Sequence, residues 1–199
     1  MSDTSSVHTS LLSLDDTCLV VIDVQNIFLE KLPDDDRDHL IQRTLWTVNV
    51  AMRLGVPIVV TAEDIDKNGS IIPELDALLP SETYVHDKLN FGLADDDSIV
   101  EAIRATKRRV PILIGLETDV CVAQSAIGLV NIGYQVVVVE DACSSPGQAH
   151  ARGLKRMENA GVLISNVKAL FYEWLRTVED TRAFYKKYKD EVDNESVPL

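Results

Sequence analysis

The chain reads VPILIGLETDVCV from Val110 to Val122. Its first five residues are apolar and of strand length, and the residues from Val122 to Ile132 are apolar at helical intervals. A buried strand that leads directly into a helix is typical of a parallel α/β sheet. Cys121 lies at this turn, where free N–H groups and the helix dipole favour a thiolate. The stretch therefore predicts a fold class and a candidate nucleophile.

The same alternation of strand and helix continues on both sides of this segment. Apolar runs of strand length are predicted at residues 18–23, 57–61, 83–86, 135–139 and 162–165. Helices are predicted at residues 37–54, 73–78, 98–107, 147–160 and in the C-terminal part. Strands that are apolar throughout and separated by helices predict a mostly parallel six-stranded sheet covered on both faces. We find no repeat and no linker, which indicates one domain.

Composition excludes several classes of function. The 199 residues carry a formal net charge of −13, which argues against nucleic acid and anionic membranes as partners. The three cysteines form no CxxC pair, so a disulfide framework is not expected and a reducing cytoplasm is the default. Residues 1–10 lack the pattern of a signal peptide, and no apolar run approaches about 20 residues. We expect a cytoplasmic protein with a small-molecule substrate.

Three reactive side chains follow three predicted strands. Asp23 ends the first, Lys88 follows the third and Cys121 follows the fourth. Taken singly, they fit a capping acid, an exposed lysine and a buried thiol. The carboxyl ends of parallel strands meet at one edge of a sheet, where ligands bind. There the carboxylate can take and return the thiol proton, and the ammonium can stabilise the thiolate.

These residues belong to motifs that occur in a fixed order. The motifs are Asp23-Val24-Gln25-Asn26 with Phe28, Lys88 with Phe91-Gly92, Gly115 through Val122, Asp141-Ala142, and Arg156 through Gly161. In this respect the chain resembles the isochorismatase-like cysteine hydrolase superfamily, which includes the nicotinamidases. The resemblance covers about residues 15–175 of a single domain 1–199, with a helical C-terminal extension at 176–199. It implies a three-layer Rossmann-like fold and a homo-oligomer.

The resemblance also implies roles for individual residues. Asp23 would be the general base and acid, Lys88 its charged partner and Cys121 the nucleophile. A cis peptide bond would join Leu116 and Glu117, so that the backbone N–H groups of Glu117 and Cys121 form an oxyanion hole. Phe28 and Phe91 are tentative pocket residues.

Two departures restrict the substrate. Nicotinamidases carry an Asp-x-His metal-binding pattern after the second strand, whereas residues 61–66 contain no histidine. We therefore predict no metal and no cofactor, and we disfavour nicotinamide. Isochorismatases that cleave a vinyl ether work without a cysteine nucleophile, so Cys121 argues against isochorismate. No nucleotide-binding glycine motif is present.

Three interpretations stay open at this point. The first is a hydrolase that cleaves a small amide or related C–N bond through a Cys121 thioester. The second is a family member that hydrolyses an ester or enol ether. The third is a non-hydrolytic thiol redox or binding protein on the same fold, with Cys143 as a redox partner of Cys121.

Overall fold

Strands and helices alternate along the chain, as expected. A computed structural model describes residues 11–192 and residue 197. The elements are β1 (Thr17–Ile22), α1 (Asn26–Leu29), α2 (Asp34–Leu54), β2 (Ile58–Glu63), α3 (Ile65–Asn68), α4 (Pro73–Leu78), β3 (Val85–Lys88), α5 (Asp97–Ala105), β4 (Val110–Leu116), α6 (Ala123–Asn131), β5 (Val137–Ser144), α7 (Ala149–Asn159), β6 (Leu163–Ser165), α8 (Val167–Leu175) and α9 (Val178–Val192). A π-helical turn, Thr118–Val122, joins β4 to α6.

The six strands form one sheet in the order β3-β2-β1-β4-β5-β6, and every neighbouring pair is parallel. The central strands β1 and β4 are buried along their whole length, which explains their uninterrupted apolar sequences. The predicted α/β class and the six-stranded parallel sheet are confirmed. Because the strand order reverses between β1 and β4, the crevice at their carboxyl ends is the expected ligand site.

Helices cover both faces of the sheet and bury a core on each. One core includes Trp46 of α2, Phe171 of α8 and Phe184 of α9. The other includes Ile99 of α5 and Leu129 of α6. This arrangement is the three-layer architecture that the sequence predicts.

The C-terminal helix is packed onto the domain. The indole N–H of Trp46 donates a hydrogen bond to the carbonyl oxygen of Val192 at 2.7 Å, and Val192 is buried. Tyr185 and Tyr188 pack partly buried against the core around Phe184. The predicted extension is therefore helical up to Val192, and its aromatic residues are used within the chain.

Four strands reach further than their apolar runs. β4 ends at Leu116 instead of residue 114, and β5 ends at Ser144 instead of residue 139. β2 ends at Glu63 instead of residue 61, and β3 covers residues 85–88 instead of 83–86. Glu63 lies opposite Lys88 in the register of this parallel pair. The parallel ladder therefore continues past the apolar residues and places two oppositely charged side chains side by side.

Gly115 allows β4 to approach β1 closely at the carboxyl edge. Its φ is 120°, and a β-carbon there would lie inside van der Waals contact with the carbonyl oxygen of Ile22. Only glycine fits such a position. This close contact brings β4, which leads to Cys121, next to Ile22, the residue before Asp23.

Within the described part of the chain, no helix is both long and apolar enough to cross a membrane. Residues 1–10, on which the prediction about a signal peptide rests, lie outside that part.

Candidate active site

Asp23 directly follows β1 and is completely buried. Its φ of 51° is left-handed, a conformation that aspartate tolerates better than most residues. Its backbone N–H donates to the carbonyl oxygen of Thr61 at 3.1 Å, and the Thr61 hydroxyl donates to Asp23 Oδ1 at 3.0 Å. Burial raises the pKa of the Asp23 carboxyl, and the neighbouring Lys88 ammonium opposes this effect. The side chain is thus fixed and suited to hold a proton.

Lys88 ends β3 and is also completely buried. Its Nζ lies 2.7 Å from Asp23 Oδ2 and donates to the carbonyl oxygen of Asn90 at 3.2 Å. The two side chains form a buried ion pair at hydrogen-bonding distance. Burial lowers the pKa of Lys88, but the charges of Asp23 and other nearby groups outweigh it and raise the pKa above its usual value. The residue is therefore a buried ammonium.

Cys121 lies in the π-helical turn and is only 3% exposed. Its Sγ lies 3.2 Å from Glu63 Oε2, within hydrogen-bonding distance for a thiol donor. Sγ and one carboxylate oxygen each from Asp23 and Glu63 lie within 4.8 Å of one another. The structure therefore brings Asp23, Lys88 and Cys121 together at one edge of the sheet, together with a fourth charged group, Glu63.

The environment of Cys121 opposes ionisation. Burial and then the charge of Asp23 raise the pKa of the thiol, and Glu63 adds to this effect, while Lys88 lowers it only in part. This direction is the opposite of the one expected at the start of a helix, because burial and the two carboxylates outweigh the one ammonium. The resting sulfur is a thiol, so its attack needs a base.

Glu63 was not singled out by the sequence reasoning. The amide of Gln25, which is fully buried, holds its backbone through two hydrogen bonds. Glu63 N–H donates to Gln25 Oε1 at 2.7 Å, and Gln25 Nε2 donates to the Glu63 carbonyl oxygen at 2.9 Å. Glu63 Oε2 lies 3.7 Å from Lys88 Nζ. The available signal was an acid just beyond an apolar strand, at the same sheet edge as Asp23.

The peptide bond between Leu116 and Glu117 is cis, as the resemblance implies. The Glu117 carbonyl oxygen accepts hydrogen bonds from the N–H groups of Val120 and Val122 at 3.1 Å, which ties it to the turn that holds Cys121. The Glu117 side chain pairs with Lys31 at 3.1 Å. The backbone around Glu117 is thus held firmly next to the sulfur.

The remaining candidates occupy different settings. Phe28 packs into the core, with Lys31 Nζ 4.7 Å from its ring centroid. Phe91 is half exposed on the loop after β3. Cys143 lies on β5 opposite Gly115, and burial raises the pKa of its thiol to about 12. All three cysteines are free and buried.

The oxygen and sulfur donors of Asp23, Glu63 and Cys121 lie close enough together to suggest a metal site. A divalent cation bound there would sit beside the Lys88 ammonium, which is 2.7 Å from Asp23 and 3.7 Å from Glu63. Two cations in so confined a space repel each other strongly. These residues therefore fit Lys88 as the resident cation and do not fit an additional divalent metal.

Comparison with known proteins gives consistent similarities. The chain is 32% identical over 164 residues to the secreted isochorismatase effector Isc1 of Phytophthora sojae, a match that covers 78% of this chain and 75% of the effector. It is 30% identical over 132 residues to the probable hydrolase YcaC of Escherichia coli, which covers 66% of this chain and 64% of that protein. The crystal structure of the E. coli YcaC gene product is described as an octameric hydrolase of unknown specificity. It superposes with a TM-score of 0.79 at 23% identity and covers 90% of this chain and 96% of its own.

Two further structures have a similar fold. YcaC from Pseudomonas aeruginosa, solved with hexane-2,5-diol and covalent acrylamide, has a TM-score of 0.81 at 26% identity and covers 89% of this chain and 91% of its own. N-carbamoylsarcosine amidase from Thermoplasma acidophilum has a TM-score of 0.64 at 20% identity, covers 76% and 96% of the two chains, and shares the fold alone.

The isochorismatase domain model matches residues 17–169, which include all four side chains of the site. The order of the motifs, the parallel sheet and the family match agree, and the chain belongs to the isochorismatase family of hydrolases.

Proposed function

We propose that this protein is a cysteine hydrolase that cleaves a small amide or a related C–N bond. The observation that carries the proposal is the placement of the Cys121 thiol against a buried Asp23–Lys88 ion pair. A protonated thiol beside a fixed carboxylate is a nucleophile with its base already in place.

In the first half of the reaction, Cys121 attacks the carbonyl carbon and its proton passes to Asp23. The tetrahedral intermediate then collapses, the C–N bond breaks, and Asp23 returns the proton to the leaving nitrogen. A thioester and an amine or ammonia result.

In the second half, water attacks the thioester and gives a proton to Asp23. The C–S bond breaks, the acid product leaves, and the proton returns to the Cys121 sulfur. The raised pKa of Asp23 suits a group that must hold a proton between the two transfers.

Lys88 and the backbone stabilise the negative charge that develops during the reaction. The buried ammonium stabilises the negative charge that passes between Asp23 and the sulfur. The N–H groups of Glu117 and Cys121 are our proposed donors to the developing oxyanion, since the turn that carries them is hydrogen-bonded to the Glu117 carbonyl. Phe91 is the pocket residue of this proposal because it is exposed on the loop after Lys88, whereas Phe28 contributes mainly to the core.

Amide chemistry is favoured by one similar protein, which is described as an amidase. An ester or enol ether is the second candidate, since the same nucleophile would attack it. A redox role is disfavoured by the raised pKa values of Cys121 and Cys143, because the thiolate is the reactive form of sulfur.

The test is a panel of small amides and esters assayed for release of ammonia, amine, alcohol or acid. Cys121→Ala should abolish turnover and leave the thermal unfolding midpoint within a few degrees of wild type, since the change removes one sulfur atom only. Cys143→Ala, another buried thiol, is the matched control and should retain activity. Turnover of a genuine substrate by Cys121→Ala would overturn the mechanism.

We also propose that the chain forms a homo-oligomer in the cytoplasm. The octameric E. coli protein supports the first part. Light scattering of the purified protein tests it, and a monomer mass near 22.1 kDa would contradict it.

A further inference from the structure

We propose that Glu63 is a specificity-determining carboxylate of the Cys121 site, one that accepts N–H donors from the substrate. The site would then take small neutral or cationic carbonyl compounds with N–H groups beside the scissile carbon, such as primary amides and ureido compounds. Substrates with a carboxylate at that place would be disfavoured. The inference rests on the proposed function and names its substrate class.

Glu63 is held in place by a dedicated side chain. Gln25 both accepts from and donates to the Glu63 backbone, and its Nε2 also donates to the Gly69 carbonyl oxygen at 2.6 Å. Asn68 Nδ2 donates to the Glu63 carbonyl oxygen at 3.0 Å as well. The three hydrogen bonds of the buried Gln25 side chain fix the end of β2 and the loop that follows it. The Glu63 carboxylate is therefore presented from a rigid base.

Glu63 differs from Asp23 in how open it is. The side chains of Asp23 and Lys88 are 0% exposed, whereas that of Glu63 is 18% exposed. Asp23 is already engaged by the Thr61 hydroxyl and the Lys88 ammonium. Of the two carboxylates at the sulfur, Glu63 is the one that an entering molecule can reach.

The charges at the sulfur are not balanced. Asp23 and Glu63 together carry two negative charges, against the single positive charge of Lys88. A carboxylate is an acceptor only, with about four lone-pair positions, and Lys88 and the thiol both lie on the Oε2 side of Glu63. The remaining acceptor capacity suits an amide N–H or an ammonium and repels a second carboxylate.

Charged and neutral alkylating agents test this without a known substrate. Iodoacetamide is a neutral amide and iodoacetate is its carboxylate counterpart; each alkylates sulfur and releases iodide. We measure both rates at pH 7.5 on the full chain and take the ratio of the iodoacetamide rate to the iodoacetate rate. This ratio is then divided by the same ratio for a small free thiol. Cys121→Ser supplies the background from Cys18 and Cys143. Because both reagents report on the same sulfur, the ratio does not depend on the pKa of the thiol.

In the wild type, the normalised ratio of the iodoacetamide rate to the iodoacetate rate should be about ten. Glu63→Gln removes the charge at constant shape. It should lower the normalised ratio to about three or less. Asp64→Asn is the matched control, since it removes one charge from the next residue, whose carboxylate pairs with Lys67 at 2.8 Å. It should keep the tenfold preference. Thermal unfolding confirms that each variant is folded, and Glu63→Ala replaces Glu63→Gln if the latter is not.

A wild type without preference, or a preference that survives loss of the Glu63 charge, would overturn the inference. Three amides then link it to turnover: β-alaninamide, butyramide and succinamate, which are cationic, neutral and anionic. Glu63→Gln should raise kcat/KM for succinamate relative to the other two. If no amide of the full panel is hydrolysed while the alkylation preference holds, the proposed amidase function fails and the charge selectivity of Glu63 stands.

Discussion

At the scale of single residues, the ionisation of Cys121 depends on its neighbours more than on its place before a helix. The dipole of a helix and its free N–H groups lower a cysteine pKa when the sulfur is near solvent and near positive charge. Here burial and the carboxylates of Asp23 and Glu63 outweigh the single ammonium of Lys88. Reactivity must then come from proton transfer to Asp23 during the attack.

This balance predicts the pH dependence of alkylation. Because the pKa of the thiol lies above its ordinary value of 9.0, its thiolate fraction at neutral pH is smaller than that of a free cysteine. The iodoacetamide rate at Cys121 should keep rising tenfold per pH unit through pH 9, without a plateau. Stopped alkylation followed by mass spectrometry measures it, with Cys121→Ser as background. A plateau below pH 8 would contradict a raised thiol pKa as the factor that limits alkylation.

At the scale of elements, the π-helical turn that carries Cys121 is held by the helix that packs on it. Gly153 of α7 faces Asp119 of this turn, and a β-carbon at Gly153 would lie 2.8 Å from the Asp119 Cα and 2.9 Å from its backbone nitrogen. Real β-carbons essentially never approach backbone so closely. The glycine inside α7 therefore serves close packing, in spite of the low helix propensity of glycine.

We predict that Gly153→Ala destabilises the protein by about 1–3 kcal/mol, because overpacking against backbone outweighs the gain in helix propensity of about 1 kcal/mol. Chemical denaturation measures the stability. The shifted turn should also slow the alkylation of Cys121. Ala151→Gly, at an exposed position of α7, is the control. Its free energy of unfolding should fall by about 1 kcal/mol from helix propensity alone, and the alkylation rate of Cys121 should not change. A more stable Gly153→Ala protein would contradict this account.

At the scale of the whole molecule, the C-terminal helix completes one of the two cores. Phe184 of α9 is 5% exposed and stacks edge-on against Phe171 of α8, with ring centroids 5.5 Å apart. Trp46 of α2 packs against the same Phe171 ring at 5.3 Å. The segment beyond residue 175 is therefore structurally part of the domain, although the family match ends at residue 169.

Phe184→Ala should therefore lower the free energy of unfolding by about 3–5 kcal/mol, the usual loss for a buried phenylalanine. Phe91→Ala removes the same ring from a position that is 51% exposed and should change stability by about 0.5 kcal/mol or less. The midpoints and slopes of urea unfolding compare the two. Equal losses would mean that α9 is not anchored by this core.

Most of the fold could be predicted because its signals are local. The apolar runs at β1 and β4 mark buried strands, and the motifs after them mark the edge where Asp23, Lys88 and Cys121 meet. Strand ends were harder to place. β2 and β3 extend into polar residues, where Glu63 and Lys88 lie side by side across the sheet, which is a contact between distant parts of the sequence.

The sequence by itself determined the parallel sheet, and it predicted the sheet edge and three of the four side chains of the candidate site. Only the tertiary structure decided that Glu63 contacts the sulfur and that the surroundings raise the pKa of Cys121. The reason is physical. Apolar periodicity acts over neighbouring residues and can be read along the chain. The pKa of a group depends on burial and on charges a few ångströms away, which are set when the chain folds.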